Sequence, residues 1–132
     1  MTMQLIHTMI RVLDPERSLD FYRRLGFEER RRARVGGDTA TIIMLGLPGD
    51  DEPRLELTVN DGRTEAYVQG EGFGHIALAI PDMNAWLASM EAVGISPEKP
   101  PYFAYPGGPG ICFVRDPDDY RIEIIERPEG GH

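Results

Sequence analysis

Polar and apolar positions alternate near the start of the chain. Ile6, Thr8, Ile10 and Val12 fall on one side of an extended backbone, and His7, Met9 and Arg11 on the other. This is the two-residue period of a strand with one buried face. The alternation returns with Ile76, Leu78 and Ile80 against His75, Ala77 and Ala79. After each strand the period lengthens to that of a helix. Leu19, Tyr22 and Leu25 make the first apolar stripe, and Met83, Trp86, Leu87, Met90 and Val93 the second,. Asp14 and Asp82 stand as N-caps, and Pro15 occupies the first helical position, where a missing N–H costs nothing,. Gly26 and Gly94 suit the left-handed conformation that ends a helix,. Three further strands are predicted in the first half, at 27–34, 39–47 and 54–60. The second half has a weak one near 101–105, then 110–115 and 120–126,.

The two halves are one pattern written twice. An offset of 68 residues carries His7 onto His75, Val12 onto Ile80, Asp14 onto Asp82, Leu19 onto Leu87 and Gly26 onto Gly94. An offset of 67 carries Arg54-Leu55-Glu56-Leu57 onto Arg121-Ile122-Glu123-Ile124. A slip of one residue across the intervening loops is what a duplicated unit shows. The fold class is therefore α+β, a single domain of two βαβββ units at about 4–60 and 73–126, joined by a polar linker at 61–72,.

The 132 residues suffice for one buried core,. The net charge of −8 disfavours binding to a phosphate backbone, and Arg30-Arg31-Arg32 follows two glutamates, as at a solvated strand edge,. No apolar run is long enough to span a bilayer and no secretory leader is visible,. The single cysteine, Cys112, sits in an apolar run and is expected to be a buried small hydrophobe,. The cytoplasm is the expected compartment, with no nucleic-acid or membrane partner.

Strand parity decides which polar side chains share a face. In the last strand of the first unit Leu55, Leu57 and Val59 take the apolar face, leaving Glu56, Thr58 and Asn60 on the other. In the second unit Ile122 and Ile124 take one face, and Glu123 and Ile125 the other. Each unit thus directs one histidine and one glutamate away from its helix, toward the concave side of a curved sheet. A lone strand histidine is more often a hydrogen-bonded structural residue, and a lone strand glutamate more often solvated. Here, however, two of three histidines occupy equivalent positions, each with an equivalent glutamate. His132, in a Glu-Gly-Gly-His tail, has no counterpart. Two imidazoles and two carboxylates form a mixed nitrogen and oxygen donor set suited to nickel, cobalt, zinc, iron or manganese, and to catalysis more than to a closed structural zinc.

Several segments resemble glyoxalase I, within the vicinal-oxygen-chelate (glyoxalase–bleomycin resistance–dioxygenase) superfamily. They are Leu5-Ile6-His7-Thr8-Met9-Ile10-Arg11-Val12, Arg17-Ser18-Leu19-Asp20-Phe21-Tyr22, Glu56-Leu57-Thr58-Val59-Asn60, Gly74-His75-Ile76-Ala77-Leu78 and Asp116-Pro117-Asp118. The resemblance implies half-barrel sheets with helices outside, and a divalent metal, nickel or cobalt favoured and zinc possible, held by His7, Glu56, His75 and Glu123. It implies isomerisation of the hemithioacetal of methylglyoxal and glutathione to S-lactoylglutathione, by proton transfer through an enediolate. Glu123 is nominated as the base, with Glu56 as its near-symmetric counterpart. Arg11 and Asn60 would hold the glutathione arm. It further implies a homodimer whose two sites each draw ligands from both chains, while the linker at 61–72 allows either such swapping or a closed monomer.

The chain departs from the family in places. Where the family has a lysine that grips the thiol's glycyl carboxylate, this chain has Tyr105-Pro106-Gly107-Gly108-Pro109-Gly110, either a remade thiol pocket or a structural turn. Asp119 follows Asp-Pro-Asp where glycine is usual. Within the superfamily, an acyl-CoA epimerase, an antibiotic thiol transferase and an extradiol dioxygenase are alternatives that the glutamate at position 56 disfavours. Outside catalysis, the alternative is a ligand-sequestering protein of the bleomycin-resistance type.

Overall fold

The computed structural model describes residues 1–129; His132 lies outside them. The chain divides into two compact units, one running to Val68 and the other beginning at Gln69.

The first unit contains β1 (Thr8–Arg11), α1 (Pro15–Leu25), β2 (Glu28–Val35), β3 (Ala40–Gly46) and β4 (Leu55–Asn60). Its sheet runs β1-β4-β3-β2, with β1 parallel to β4 and the remaining pairs antiparallel. Helix α1 starts as expected: the Asp14 carboxylate accepts from the N–H groups of Glu16 and Arg17, with Pro15 at the first position. It ends at Gly26, whose φ of 120° favours glycine,. The core is Ile10, Val12, Ile43, Leu45, Leu55 and Leu57 of the sheet with Leu19, Phe21 and Tyr22 of the helix. Tyr22 meets Phe21 and Phe27 edge to face, at centroid distances of 5.1 and 5.7 Å,.

The second unit repeats this order as β5 (Ile76–Ile80), α2 (Met83–Ala92), β6 (Tyr102–Phe103), β7 (Gly110–Arg115) and β8 (Arg121–Glu126), with the sheet order β5-β8-β7-β6. Asp82 caps α2 through the Ala85 N–H, and Gly94 takes a φ of 80° just beyond the helix. Cys112, Val114, Ile122, Ile124, Met83, Met90 and Ile95 are buried. Burial pushes the Cys112 thiol up from its ordinary value, which leaves it unreactive as a nucleophile,. The described residues contain no helix long and apolar enough to cross a membrane.

Some expected core positions fall outside the core. Ile6 precedes β1 and lacks strand neighbours, so it is half exposed. Leu25, the last residue of α1, is only partly covered. In α2, Trp86 and Leu87 are half-buried, and Val93 lies at the C-cap, where the backbone has left the helical path and its side chain is exposed. The arginine run does lie on an edge strand, β2, where Arg32 makes a two-pronged pair with Glu29. Its pairing matches the solvated edge that the charge pattern predicted.

The Asp-Pro-Asp motif proves to be the turn that returns the chain from β7 into β8. The buried Asp116 carboxylate accepts from the N–H groups of Asp118 and Tyr120 at 2.9 and 2.8 Å. Asp119 adopts a φ of 72°, a conformation glycine enters without strain, and its carboxylate accepts from Arg115,. This explains the local preference for glycine and how an aspartate is accommodated instead.

Candidate metal and substrate site

The last residue before β1 is His7, and the central strand β4 carries Glu56 opposite Met9. Partnered residues of adjacent strands share a face, so Glu56, Met9, Arg11 and Thr58 lie together,. At this face His7 Nε2 lies 3.1 Å from Glu56 Oε1. The second unit repeats the arrangement. His75 immediately precedes β5, Glu123 on the central strand β8 faces Ala77 across the ladder, and His75 Nε2 lies 3.1 Å from Glu123 Oε1. The histidines are about one third exposed and the glutamates much less, with side chains 14% and 16% accessible. Each unit therefore presents a carboxylate set into the sheet beneath a more accessible imidazole.

The donor separation suits a metal ion. Two cis ligands at about 2.1 Å from a common centre lie about 3.0 Å apart, close to the 3.1 Å seen twice. Each pair supplies only two donors. Among the described residues no three His, Cys, Asp or Glu side chains gather about one point.

The two pairs differ in their surroundings. The Thr58 hydroxyl donates to Glu56 Oε2 at 2.9 Å, tying down the oxygen that does not face His7. The 67-residue offset places Ile125 at the corresponding position beside Glu123, so a hydroxyl donor is replaced by a hydrocarbon. His75 instead packs edge to face on Phe113 at 5.1 Å. The Arg121 guanidinium lies 3.8 Å over the Phe113 ring and is held by a two-pronged pair with Glu98, which Arg115 also contacts,.

A cavity of about 620 Å³ in the second unit borders Glu123, a volume in the range of small-molecule sites. Ile111 and Ile125 form apolar lining, Tyr105 and Gly108 contribute from the loop before β7, and Glu126 and Arg127 bring charge. The loop forms a turn, and it also lines this cavity. Gly108 N–H donates to the Tyr105 carbonyl at 2.9 Å, with Pro106 and a left-handed Gly107 between them, as in a type II turn,. The Tyr105 ring folds against Gly108 so closely that an added Cβ would sit 2.7 Å from it.

Arg11 ends β1 opposite Thr58, and Asn60 ends β4 on the same face two residues beyond Thr58. Asn60 Nδ2 donates to the Tyr67 hydroxyl at 3.0 Å, and Arg63 stacks over the Tyr67 ring. Tyr67, Thr58, Phe113 and Arg127 were not singled out from sequence. Parity places Thr58 on the face of Glu56 and Asn60 but assigns it no role. Tyr67 follows no periodic signal, and nothing in the order of residues reveals which ring lies under a distant arginine.

Comparison with known proteins adds to this geometry. The model of the Glyoxalase/Bleomycin resistance protein/Dioxygenase superfamily matches residues 4–124. The lactoylglutathione lyase of Haemophilus influenzae is 36% identical over 126 residues, covering 94% of this chain and 93% of that one. Among solved structures, the trypanothione-dependent glyoxalase I of Leishmania major superposes with a TM-score of 0.75 at 37% identity, covering 95% of this chain and 87% of that one. Glyoxalase I from Zea mays gives 0.83 at 29% identity over 96% of this chain; the match spans 45% of the maize chain.

Proposed function

The chain belongs to the Glyoxalase/Bleomycin resistance protein/Dioxygenase superfamily, and we propose that within it this protein is a glyoxalase I, a lyase that isomerises the hemithioacetal of methylglyoxal and glutathione to S-lactoylglutathione. The observation that carries this reading is the pair of equivalent His–Glu contacts, each 3.1 Å long, one in each unit. Its lactoylglutathione lyase relative matches over nearly the whole chain.

His7, Glu56, His75 and Glu123 would hold one divalent ion, nickel or cobalt in preference to zinc. Bound there, the ion would supply Lewis-acid stabilisation of negative charge developing on adjacent oxygens. Since one pair offers too few donors, we take the working form to be a homodimer that joins the first unit of one chain to the second unit of its partner. A cytoplasmic setting accords with the lone, buried and unreactive Cys112,.

The residues divide the work by their surroundings. A base must move a proton from one carbon to its neighbour, so its carboxylate needs freedom to swing. Thr58 restrains Glu56, whereas Glu123 has an isoleucine beside it and a cavity before it. Glu123 is thus the base, taking the carbon-bound proton and returning it to the adjacent carbon. Ile111 and Ile125 give the cavity an apolar wall beside Glu123. Arg11 and Asn60 hold the thiol arm, with Asn60 oriented by Tyr67.

The test is a spectrophotometric assay of methylglyoxal with glutathione, using protein loaded separately with nickel, cobalt and zinc. Thioester formation that depends on added metal is expected. Absence of both metal uptake and thioester would overturn the enzyme reading in favour of a ligand-sequestering protein.

A further inference from the structure

The cavity beside Glu123 carries a cation that the chemistry above leaves unused. Arg127 follows the last residue of β8 and lines the cavity wall together with Tyr105, Gly108 and Pro128. It is exposed, and its guanidinium makes no ion pair with any carboxylate among the described residues. The two acidic groups in the lining are otherwise engaged. Glu123 contacts His75, and Glu126 Oε2 accepts the Met83 N–H at 2.7 Å. Lys99, the only lysine in the chain, lies over the Tyr102 ring at 4.2 Å and is not part of this lining. Arg127 is therefore the one basic side chain lining the cavity among the described residues.

We infer that Arg127 is a specificity-determining residue, clamping the free glycyl carboxylate of the thiol arm while the reacting carbons lie at Glu123. This deepens the glyoxalase reading and rests on it. The choice of the glycyl end follows from charge. That end bears a lone carboxylate, which one planar guanidinium satisfies with two parallel hydrogen bonds. The glutamyl end bears an ammonium beside its carboxylate, and the Arg127 guanidinium would repel that like charge. The Tyr105–Gly108 turn contributes shape but no charge, since Pro106 and Gly107 fill its centre. Thiols whose glycyl carboxyl is blocked should be discriminated against. Trypanothione is one, because its glycyl carboxyls are amides joined to a cationic polyamine.

The test measures binding and turnover separately on nickel-loaded protein. Calorimetry with S-methylglutathione and its glycyl monoethyl ester should show the wild type favouring the free acid by about 10- to 100-fold. Arg127→Ala should abolish that preference by weakening the acid alone, and Arg127→Lys should keep part of it. In turnover, Arg127→Ala should raise KM for the glutathione hemithioacetal by a similar factor with kcat changed less than about threefold. KM for the trypanothione hemithioacetal should stay the same or fall. Because Arg127 is exposed, its variants should melt with the wild type. An acid-over-ester preference that survives in Arg127→Ala, or an equal loss for acid and ester, would overturn the clamp while leaving the glyoxalase reading intact. Binding dependent on Arg127 without turnover of any hemithioacetal would support the clamp and overturn the reaction. Neither binding nor turnover would overturn both.

Discussion

At the scale of single residues, two glutamates in equivalent places have different surroundings, and the proposed division of labour between them can be tested at each. The Thr58 hydroxyl ties one oxygen of Glu56, while Ile125 leaves Glu123 without a counterpart. Replacing Glu123 with glutamine should therefore lower kcat at saturating metal by about two to four orders of magnitude, with a melting temperature close to that of the wild type and a weaker hold on the metal, since a ligand carboxylate is lost. Turnover within tenfold of the wild type would remove Glu123 from the role of base. Thr58→Val tests the other half of the asymmetry. Freed from its hydroxyl partner, Glu56 should hold the metal about tenfold more weakly, measured by competition with a chelating dye, while kcat at saturating metal changes little. If kcat collapses and metal affinity stays, the hydroxyl serves the reaction and not the ligand.

At the scale of elements, caps and cross-strand ion pairs can be tested apart from the chemistry. The Asp14 carboxylate accepts from two N–H groups at the start of α1. Asp14→Ala should cost about 1 kcal/mol, a fall of about 3–5 °C in melting temperature, without altering KM. On β8, hydrogen bonding from Arg121, and then the nearby charges of Arg121 and Arg115, hold the Glu98 carboxyl below its ordinary 4.5. A carboxylate depressed by folding stabilises fully above its unfolded value and loses that contribution as pH falls through the folded one. Glu98→Gln should thus lower stability by about 0.2–1 kcal/mol at neutral pH, since the pair is partly solvated. The difference should vanish in thermal melts run well below pH 4; a gap that persists there would point to packing instead of charge. The elements themselves were largely legible in the chain. Alternation, capping residues and helix-ending glycines recur at a fixed offset, and the strands form within a residue or two of where they were expected. Burial departed from the pattern at Ile6, Thr8, Leu25, Trp86, Leu87 and Val93, and at Ile76, Leu78 and Ile80 of β5, which are only half-buried. Those positions lie at element ends, on a strand at the end of its sheet or on α2, where coverage depends on neighbours that periodicity does not specify. The shared face of each histidine and glutamate was legible for a related reason: parity fixes the face of a strand residue, although the ladder itself sets Glu56 opposite Met9 and Glu123 opposite Ala77. The Phe113–Arg121–Glu98 stack and the cavity at Arg127 were not, because they depend on loop paths and on which strands become neighbours.

At the scale of the whole molecule, the duplication raises the question of where the four proposed ligands would meet. Each unit holds two donors, and no larger cluster forms among the described residues. If the working site joins the first unit of one chain to the second unit of its partner, damage in different units can be complemented. Glu56→Gln spoils every site that uses that chain's first unit, and Glu123→Gln every site that uses that chain's second unit. Each homodimer is then inactive at both sites. When the two variants are unfolded together and refolded as an equal mixture, about half of the dimers should be mixed. A mixed dimer has one site built from both damaged units and one built from both intact units. The mixture should therefore recover about one quarter of wild-type activity, with an unaltered KM for the hemithioacetal, because the restored sites are wild type in every ligand. A site built within one chain gives no recovery at any mixing ratio, since every chain then carries a damaged glutamate in its only site. Activity against the fraction of one variant should follow a symmetric curve that peaks at equal amounts, and a flat line at zero would exclude the shared-site dimer.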